Sequence, residues 1–570
     1  MSRSGTVAEV SLLIQDAGLQ VEHGIRGGAI RETKLLELPD GANDRFLDGP
    51  ACRRVAVVDF DPATSAPLPA PARFVLPQNP GTTRGSFPIG EDPLSPATLA
   101  VNAFGIVFQT IKMFEGKDAL GRQVDWAFGG EQLLIVPRAG EWANAFYERA
   151  TRSLQFFWFP GDSGSTVYTA LSRDIVAHET AHALLDAVVP SLYDSATPES
   201  IAIHESVADM VAVLMALDSD ELRTSVLARS GNDLSEANAF SRIAEEFGTS
   251  RLGPGGVRRT ELRELANDAT RASLATAPPH LLSTLLSAIL YDSLAHIFDA
   301  RFHSELDRLR DDGERQTPAQ AANRALGTAH LIFRRLLLRA IDYLPPGELS
   351  FADVGRATLA ADRAALPDAD ADDEIRRRRQ DFAQRFVDRG LLPERDALNG
   401  RVPGELDVPA AQLPGLRDSD YLAYEYVGRH RGTIGIPDGI PFTVLPRVDA
   451  TKRVGRKDTP PQRELILKVG WSHVEPARMP NGTSKDRLVP TGATVSFAWG
   501  TGECLALVVS DIASRQHQHA RDQLLVQLES DGLLDESASG PAERLGVDDS
   551  GAFVTLSRTH RLLHLEGWDD

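Results

Sequence analysis

The chain has 570 residues, 42% of them hydrophobic and 25% charged, the balance of a globular protein with room for several domains. Its 60 Lys+Arg against 80 Asp+Glu leave a formal net charge of −20, which argues against nucleic acid or an anionic membrane as partner, since both need a basic surface. Cys52 and Cys504 stand far apart and form no C-x-x-C pair, which excludes a disulfide framework and a cysteine-based zinc site.

The N-terminal apolar run VSLLI is short and bracketed by Glu9 and Asp16, unlike a secretory signal. The longest uncharged window, Ala272 to Tyr291, is interrupted by Pro278, Pro279 and His280, so no membrane span is expected and a cytoplasmic location is. Residues 1–50 carry no assignable pattern. From 51 to 170, β-branched and aromatic runs such as RFVLP and SLQFFWF alternate with turn residues around one helical stretch, ATLAVNAFGIVFQTIKMF at 97–114, which predicts a strand-rich lobe with one helix. Residues 171–392 read as long helices. In DADADDEIRRRRQ (368–380), acids open a helix and basic residues follow. Prolines and glycines at 393–417 read as a linker. Residues 418–570 read as a strand-rich C-terminal domain from YLAYEYV, PFTVLP, ELILKVGW, TVSFAWG and CLALVVS, with a short helix at 515–534. The fold class expected is α+β.

The chemistry concentrates in VAHETAHALLDAVVP, 176–190. Ser172 caps a helix expected over 173–189, and on it His178 and His182 lie four apart on one face. Two histidines and a glutamate have no use in an apolar helix unless they hold something, because burying them unpaired costs several kcal/mol. The spacing H-E-x-x-H lets two imidazoles reach one zinc ion and Glu179 reach a water bound to it. A third ligand is expected from the next helix, opened by Thr197 and Pro198, where Glu205 and Asp209 again lie four apart. Glu205 completes a two-His, one-Glu site with an open position, and Asp209 is placed to fix a histidine tautomer. His204, beside Glu205, is a competing ligand or merely a polar neighbour.

These residues resemble the thermolysin-like zinc metallopeptidases of the gluzincin group, over about residues 95–392. The family pattern around H-E-x-x-H is matched by Asp174, Asp186, Tyr193 and the Glu205/Asp209 helix, and NAFY at 144–147 is similar to its substrate-pairing edge strand. HLLSTLLSAILY from His280 is similar to the segment of its second catalytic histidine, and LRELAND to that of its carbonyl-binding arginine, here Arg263. The resemblance implies a strand-rich N-terminal lobe and a helical lobe with an active-site cleft between, plus the appended C-terminal domain. It implies one catalytic zinc on His178, His182 and Glu205, catalysis by Glu179, His280 and Tyr193, substrate held at Asn144, Ala145 and Arg263, and a protein or peptide substrate. Three departures stand out. LATAPP (274–279) lacks the family's orienting aspartate, Thr166 and Thr169 replace large residues of its specificity pocket, and MVAVLMALD puts apolar residues where calcium ligands would fall, leaving calcium weakly supported. The alternatives to an active endopeptidase are a zinc-stabilised binding or scaffold protein without turnover, and a peptidase restricted to itself or to one partner. The sequence sets no oligomeric state.

Overall fold

A computed structural model describes the chain apart from residues 1–5, 15–30, 40–43, 62–63, 78–83, 162–165, 196, 236–237, 244–262, 275–276, 278, 313–316, 367–371, 401, 455–459, 479–481, 483, 531–533, 536–544, 550–552 and 558–570. It is a mixed α/β fold with a strand-rich N-terminal region, a helical middle and a second strand-rich region.

Residues 1–50, unassigned from sequence, contribute β1 (Val7–Leu13) and β2 (Arg31–Glu37), paired antiparallel. In β1 the alternation buries Ala8, Val10 and Leu12. After β3 (Val55–Val57) and β4 (Arg84–Ser86, parallel to β1) comes α1 (Pro96–Glu115), capped by Ser95, whose side chain accepts from Thr98 N. Buried Asn102 on α1 ties three elements together. Its Oδ1 accepts from Leu13 N at 3.0 Å, and its Nδ2 donates to Ala170 O at 3.1 Å and Leu171 O at 3.2 Å, immediately before the histidine helix. β5 (Leu133–Val136), β6 (Ala145–Glu148) and β7 (Ser153–Phe156) form with β3 a sheet of order β3-β5-β7-β6 among the described residues, with β6 at its edge. β8 (Trp158–Pro160) and β9 (Thr166–Tyr168) make a small hairpin beside it.

The helical region begins with α2 (Arg173–Val188), capped by Ser172 as expected, and the short α3 (Pro190–Tyr193). α4 (Pro198–Leu217) is apolar on nearly every face because α2 and the later helices enclose it. Thr197 precedes α4 without accepting from a backbone N–H of its first turn, since its hydroxyl meets the Ser200 hydroxyl and Glu348 instead. α5 (Asp220–Arg229), the strand pair β10 (Arg242–Ile243) and β11 (Arg263–Glu264), α6 (Pro279–Asp312), α7 (Pro318–Tyr343), α8 (Phe351–Ala365) and α9 (Asp373–Asp388) follow. In α9 the acids do open the helix: Asp372 caps it, and the following Arg378 and Arg379 reach back to buried Asp362.

Residues 393–417 are packed rather than extended: three short 3-10 turns and α10 (Leu413–Asp418) bury Leu398, Leu406, Leu413 and Leu416. YLAYEYV, expected as a strand from its tyrosines and valine, is instead the helix α11 (Asp420–Arg429). Ser419 caps it and Asp420 sits in its first turn, while Ala423, Tyr426 and Val427 fall on one buried face at helical spacing. α12 (Arg431–Ile434), β12 (Phe442–Val444) and β13 (Val448–Lys452) lead to the long antiparallel pair β14 (Gln462–Arg478) and β15 (Ser484–Ala498). β16 (Cys504–Val509) and α13 (Arg515–Ser530) come next.

Both faces of β14 are covered. Leu465, Leu467 and Val469 meet α11 in a separate core, while Ile466 joins the main core. Glu464 and Lys468 share the face of Ile466 and are buried against the helical region: Arg339 donates to Glu464 at 2.7 Å, and Lys468 Nζ donates to Val188 O, at the end of α2, at 3.4 Å.

Candidate metal centre

α2 and α4 bring the histidines and the downstream carboxylates together. His178 Nε2 and His182 Nε2 are 3.0 Å apart, and the two oxygens of Glu205 lie 3.5 Å from them, Oε2 from His178 and Oε1 from His182. Ligand atoms around one tetrahedral zinc at about 2.0–2.2 Å are separated by roughly 3.4 Å, so these three side chains fit that ion without rearrangement. Glu179 also has an atom within 4.8 Å of both imidazoles. Its Oε2 accepts from the backbone N–H of Tyr147 on β6 at 3.0 Å, so the sheet edge fixes where this carboxylate points. All four residues are buried, His178 at 4% and Glu205 at 1% exposure.

The ring nitrogens facing away from this point are also engaged. His178 Nδ1 lies 3.1 Å from Asp209 Oδ1, and Asp209 Oδ2 accepts from Ser287 on α6 at 3.3 Å. His182 Nδ1 lies 2.6 Å from His204 Nδ1. His204 therefore sits behind His182, on the side away from Glu205, which makes it an orienting partner instead of a ligand. That role went unread in the sequence because adjacent helical residues diverge by about 100°, and only the packing of α4 on α2 decides which neighbour His204 meets.

A second layer surrounds the cluster. Tyr147 Oη donates to Asp186 at 2.7 Å, and Arg149 Nε reaches the same carboxylate at 2.9 Å while its NH1 reaches Asp194 at 2.8 Å. Burial pushes the Asp186 carboxyl above its usual range despite the Arg149 guanidinium. Tyr193 lies under Arg149, with the guanidinium 4.3 Å from its ring centre, and its hydroxyl accepts from Arg149 N at 3.5 Å. Tyr193, Arg149 and Glu148 line a cavity of about 510 Å³ together with Phe128 and Arg152.

Asn144 is buried, and its Oδ1 accepts from Ala145 N at 2.7 Å, while Ala145 pairs with Phe156 of β7. Thr166 is exposed. Thr169 is buried, its hydroxyl bonded to Phe157 O at 3.0 Å. Met210 to Leu217 pack into the core. His280 lies at the start of α6 and Arg263 on β11, but their side chains fall outside the described residues.

No family model matches this chain, and no curated protein matches it in sequence. Among solved structures, the precursor of protealysin, a metalloproteinase from Serratia proteamaculans, is similar at 14% identity over 59% of this chain and 87% of that chain, with a TM-score of 0.34. The functional reading therefore rests on side-chain geometry.

Proposed function

We propose that this protein is a zinc-dependent peptidase of the thermolysin-like kind, with the helices α2 and α4 forming the floor of a cleft between a strand-rich and a helical lobe. The observation that carries this reading is the convergence of His178 Nε2, His182 Nε2 and the Glu205 carboxylate within 3.5 Å of one another, with Asp209 behind one imidazole.

His178, His182 and Glu205 would hold the zinc, which when bound would supply a Lewis acid that lowers the pKa of water toward about 7. Glu179 would serve as the base that accepts a proton from the attacking water and returns it to the leaving amine, and the Tyr147 N–H holds its carboxylate in place for that role. Tyr193 and His280 serve as donors to the developing oxyanion, Arg263 binds a substrate carbonyl, and the β6 edge at Asn144 and Ala145 takes an extended substrate.

The burial of the cluster favours a second reading, a zinc-stabilised binding protein without turnover. The retained Glu179 weighs against it, because a purely structural zinc needs no base. Casein digestion by the purified protein, with and without a zinc chelator, separates the two when metal content is measured alongside. The peptidase reading expects chelation to stop cleavage, and Glu179→Gln to slow it by about 100-fold or more while zinc stays bound. Full zinc occupancy with no cleavage of any protein overturns it.

A further inference from the structure

A cavity of about 810 Å³ lies where the C-terminal region meets the helical region, between the first turn of α4, the start of α6, the tip of the β14/β15 pair and one face of α13. It shares α4 and the start of α6 with the surroundings of the metal centre. Glu199 on its wall precedes Glu205 by six residues on α4, roughly 9 Å along the helix axis. Leu282, on the opposite wall, precedes Ser283, whose carbonyl accepts from the hydroxyl of Ser206, the neighbour of Glu205, at 2.8 Å.

The charges on this wall do not cancel. Arg271 faces Glu199 at 3.5 Å. Arg521 is committed to buried Glu475, and Asp522 accepts from Arg487 at 3.0 Å and from the backbone of Arg478 at 3.3 Å. Arg478 and Arg515 remain. Both line the cavity with exposed side chains, and no carboxylate lies within ion-pair reach of either among the described residues. In a chain of net charge −20, two guanidiniums in one concavity with no carboxylate partner among the described residues form a local anion-seeking field against the general background. Guanidinium is also the side chain best matched to a planar carboxylate.

We infer that this cavity is an extension of the substrate site that binds carboxylate groups of an acidic peptide, with Arg478 and Arg515 as its anchors, so that the C-terminal region selects substrates by charge. This rests on the peptidase reading and adds a substrate class to it. Carboxylates of a peptide come from its acidic side chains or from its free C-terminus, and both offer the same chemistry to these arginines.

The test uses the full-length Glu179→Gln protein, which holds a peptide without cutting it, and fluorescence anisotropy of a short labelled Glu–Gly peptide against its Gln–Gly counterpart. Each is made with a free acid and with an amidated C-terminus, which separates the two sources. The expected result is a roughly five- to tenfold tighter Kd for the carboxylate-bearing peptides, lost on adding Arg478→Gln and Arg515→Gln and reduced by salt. Equal affinity for acidic and neutral peptides overturns the inference, as does an advantage that survives the double substitution with the far-ultraviolet circular dichroism unchanged. Cleavage of neutral peptides by the Arg478→Gln, Arg515→Gln protein with Glu179 intact keeps the peptidase reading separate, since it depends only on the metal centre.

Discussion

Two of the buried polar clusters among the described residues differ in which side chains they bring together. Around α2 and α4, His178 Nε2, His182 Nε2 and the carboxylates of Glu179 and Glu205 turn toward one another, with Asp209 behind His178. Apart from the two imidazoles, the side chains that meet there are carboxylates. Where α7 meets β13 and β14, the chain supplies both signs. Asp342 accepts from Arg122 at 2.7 Å and faces Lys452 Nζ at 3.0 Å, and Glu464 lies 3.4 Å from Lys452 and accepts from Arg339 and Tyr343. Burial pushes the Asp342 carboxyl up, but Lys452, Arg122 and Lys468 together hold it well below the usual carboxylate range. The first arrangement reads as a candidate binding site and the second as a joint, and the kinds of side chain each brings together tell them apart.

The largest effect expected from this contrast is a zinc dependence confined to the first cluster. Returning zinc to the chelated protein at a thousandfold excess over its Kd is expected to raise the unfolding free energy by about 4 kcal/mol. Glu205→Ala should abolish the rise in a denaturant titration. A full rise in that variant would place the metal elsewhere. The next effect belongs to the joint. Asp342→Asn leaves Lys452 buried with one partner fewer, and breaking such a pair from one side costs about 3–5 kcal/mol. Urea unfolding should show this loss with the zinc content unchanged; a loss of zinc together with stability would mean that the two clusters are not independent.

The two clusters also differ in how much of them the sequence carries. His178 with His182 and Glu205 with Asp209 are i, i+4 pairs, so the helical repeat alone places each on one face. What remained was the meeting of two consecutive helices. The joint has no such signature: Arg122, Asp342 and Glu464 are brought together from three distant parts of the chain. Glu464 and Lys468 alternate with leucines in ELILKV as the solvent face of a strand would, and only the helical region packed over them makes that face interior. α11 was misread for a related reason, since Tyr and Val favour strands intrinsically while Ser419 and the Ala423/Tyr426/Val427 spacing decide the outcome. For Asn144, the family resemblance of NAFY placed it at an edge strand but gave no sign that its oxygen would fold back on Ala145 N.

Lys468 sharpens the contrast at an intermediate scale, because it is a cation of the joint that donates to the C-terminal carbonyl of the histidine-bearing helix α2. Burial lowers its pKa to about 8, with Asp342 pulling the other way. Between that value and the unfolded value near 10.5 the unfolded chain holds the extra proton, so stability rises with pH through this window. Above about pH 10 the unfolded tyrosines ionise while buried Tyr291 and Tyr343 resist, which reverses the slope. The charged lysine thus costs about 3 kcal/mol near neutrality. Lys468→Met should be more stable than the parent at about pH 7 and converge on it by about pH 10. If the difference between the two does not change with pH, the lysine is solvated and the joint is looser than its geometry.

The smallest effect lies at the rim of the cavity, where α13 meets α4 through His517 and Glu199, 3.8 Å apart. Burial alone would lower the His517 pKa, but Glu199 raises it above the ordinary value. Burial likewise pushes Glu199 up, yet His517 and Arg271 bring it below the usual range. The histidine contribution is complete below its unfolded pKa of about 6.5 and fades as pH rises through the higher folded value. The glutamate contribution fades only as pH falls through its own lowered value, so the pair is whole at mildly acidic pH. A partly exposed pair of this length contributes about 1 kcal/mol or less. His517→Gln should therefore lose that much at about pH 6 and almost nothing at about pH 8, and an imidazole proton titration of the parent should report a pKa above 6.5. An unshifted titration would mean that Glu199 is fully engaged by Arg271 and the Phe351 N–H, and that α13 is held to β14 by the bond of Arg521 to Glu475 without an ion pair to α4.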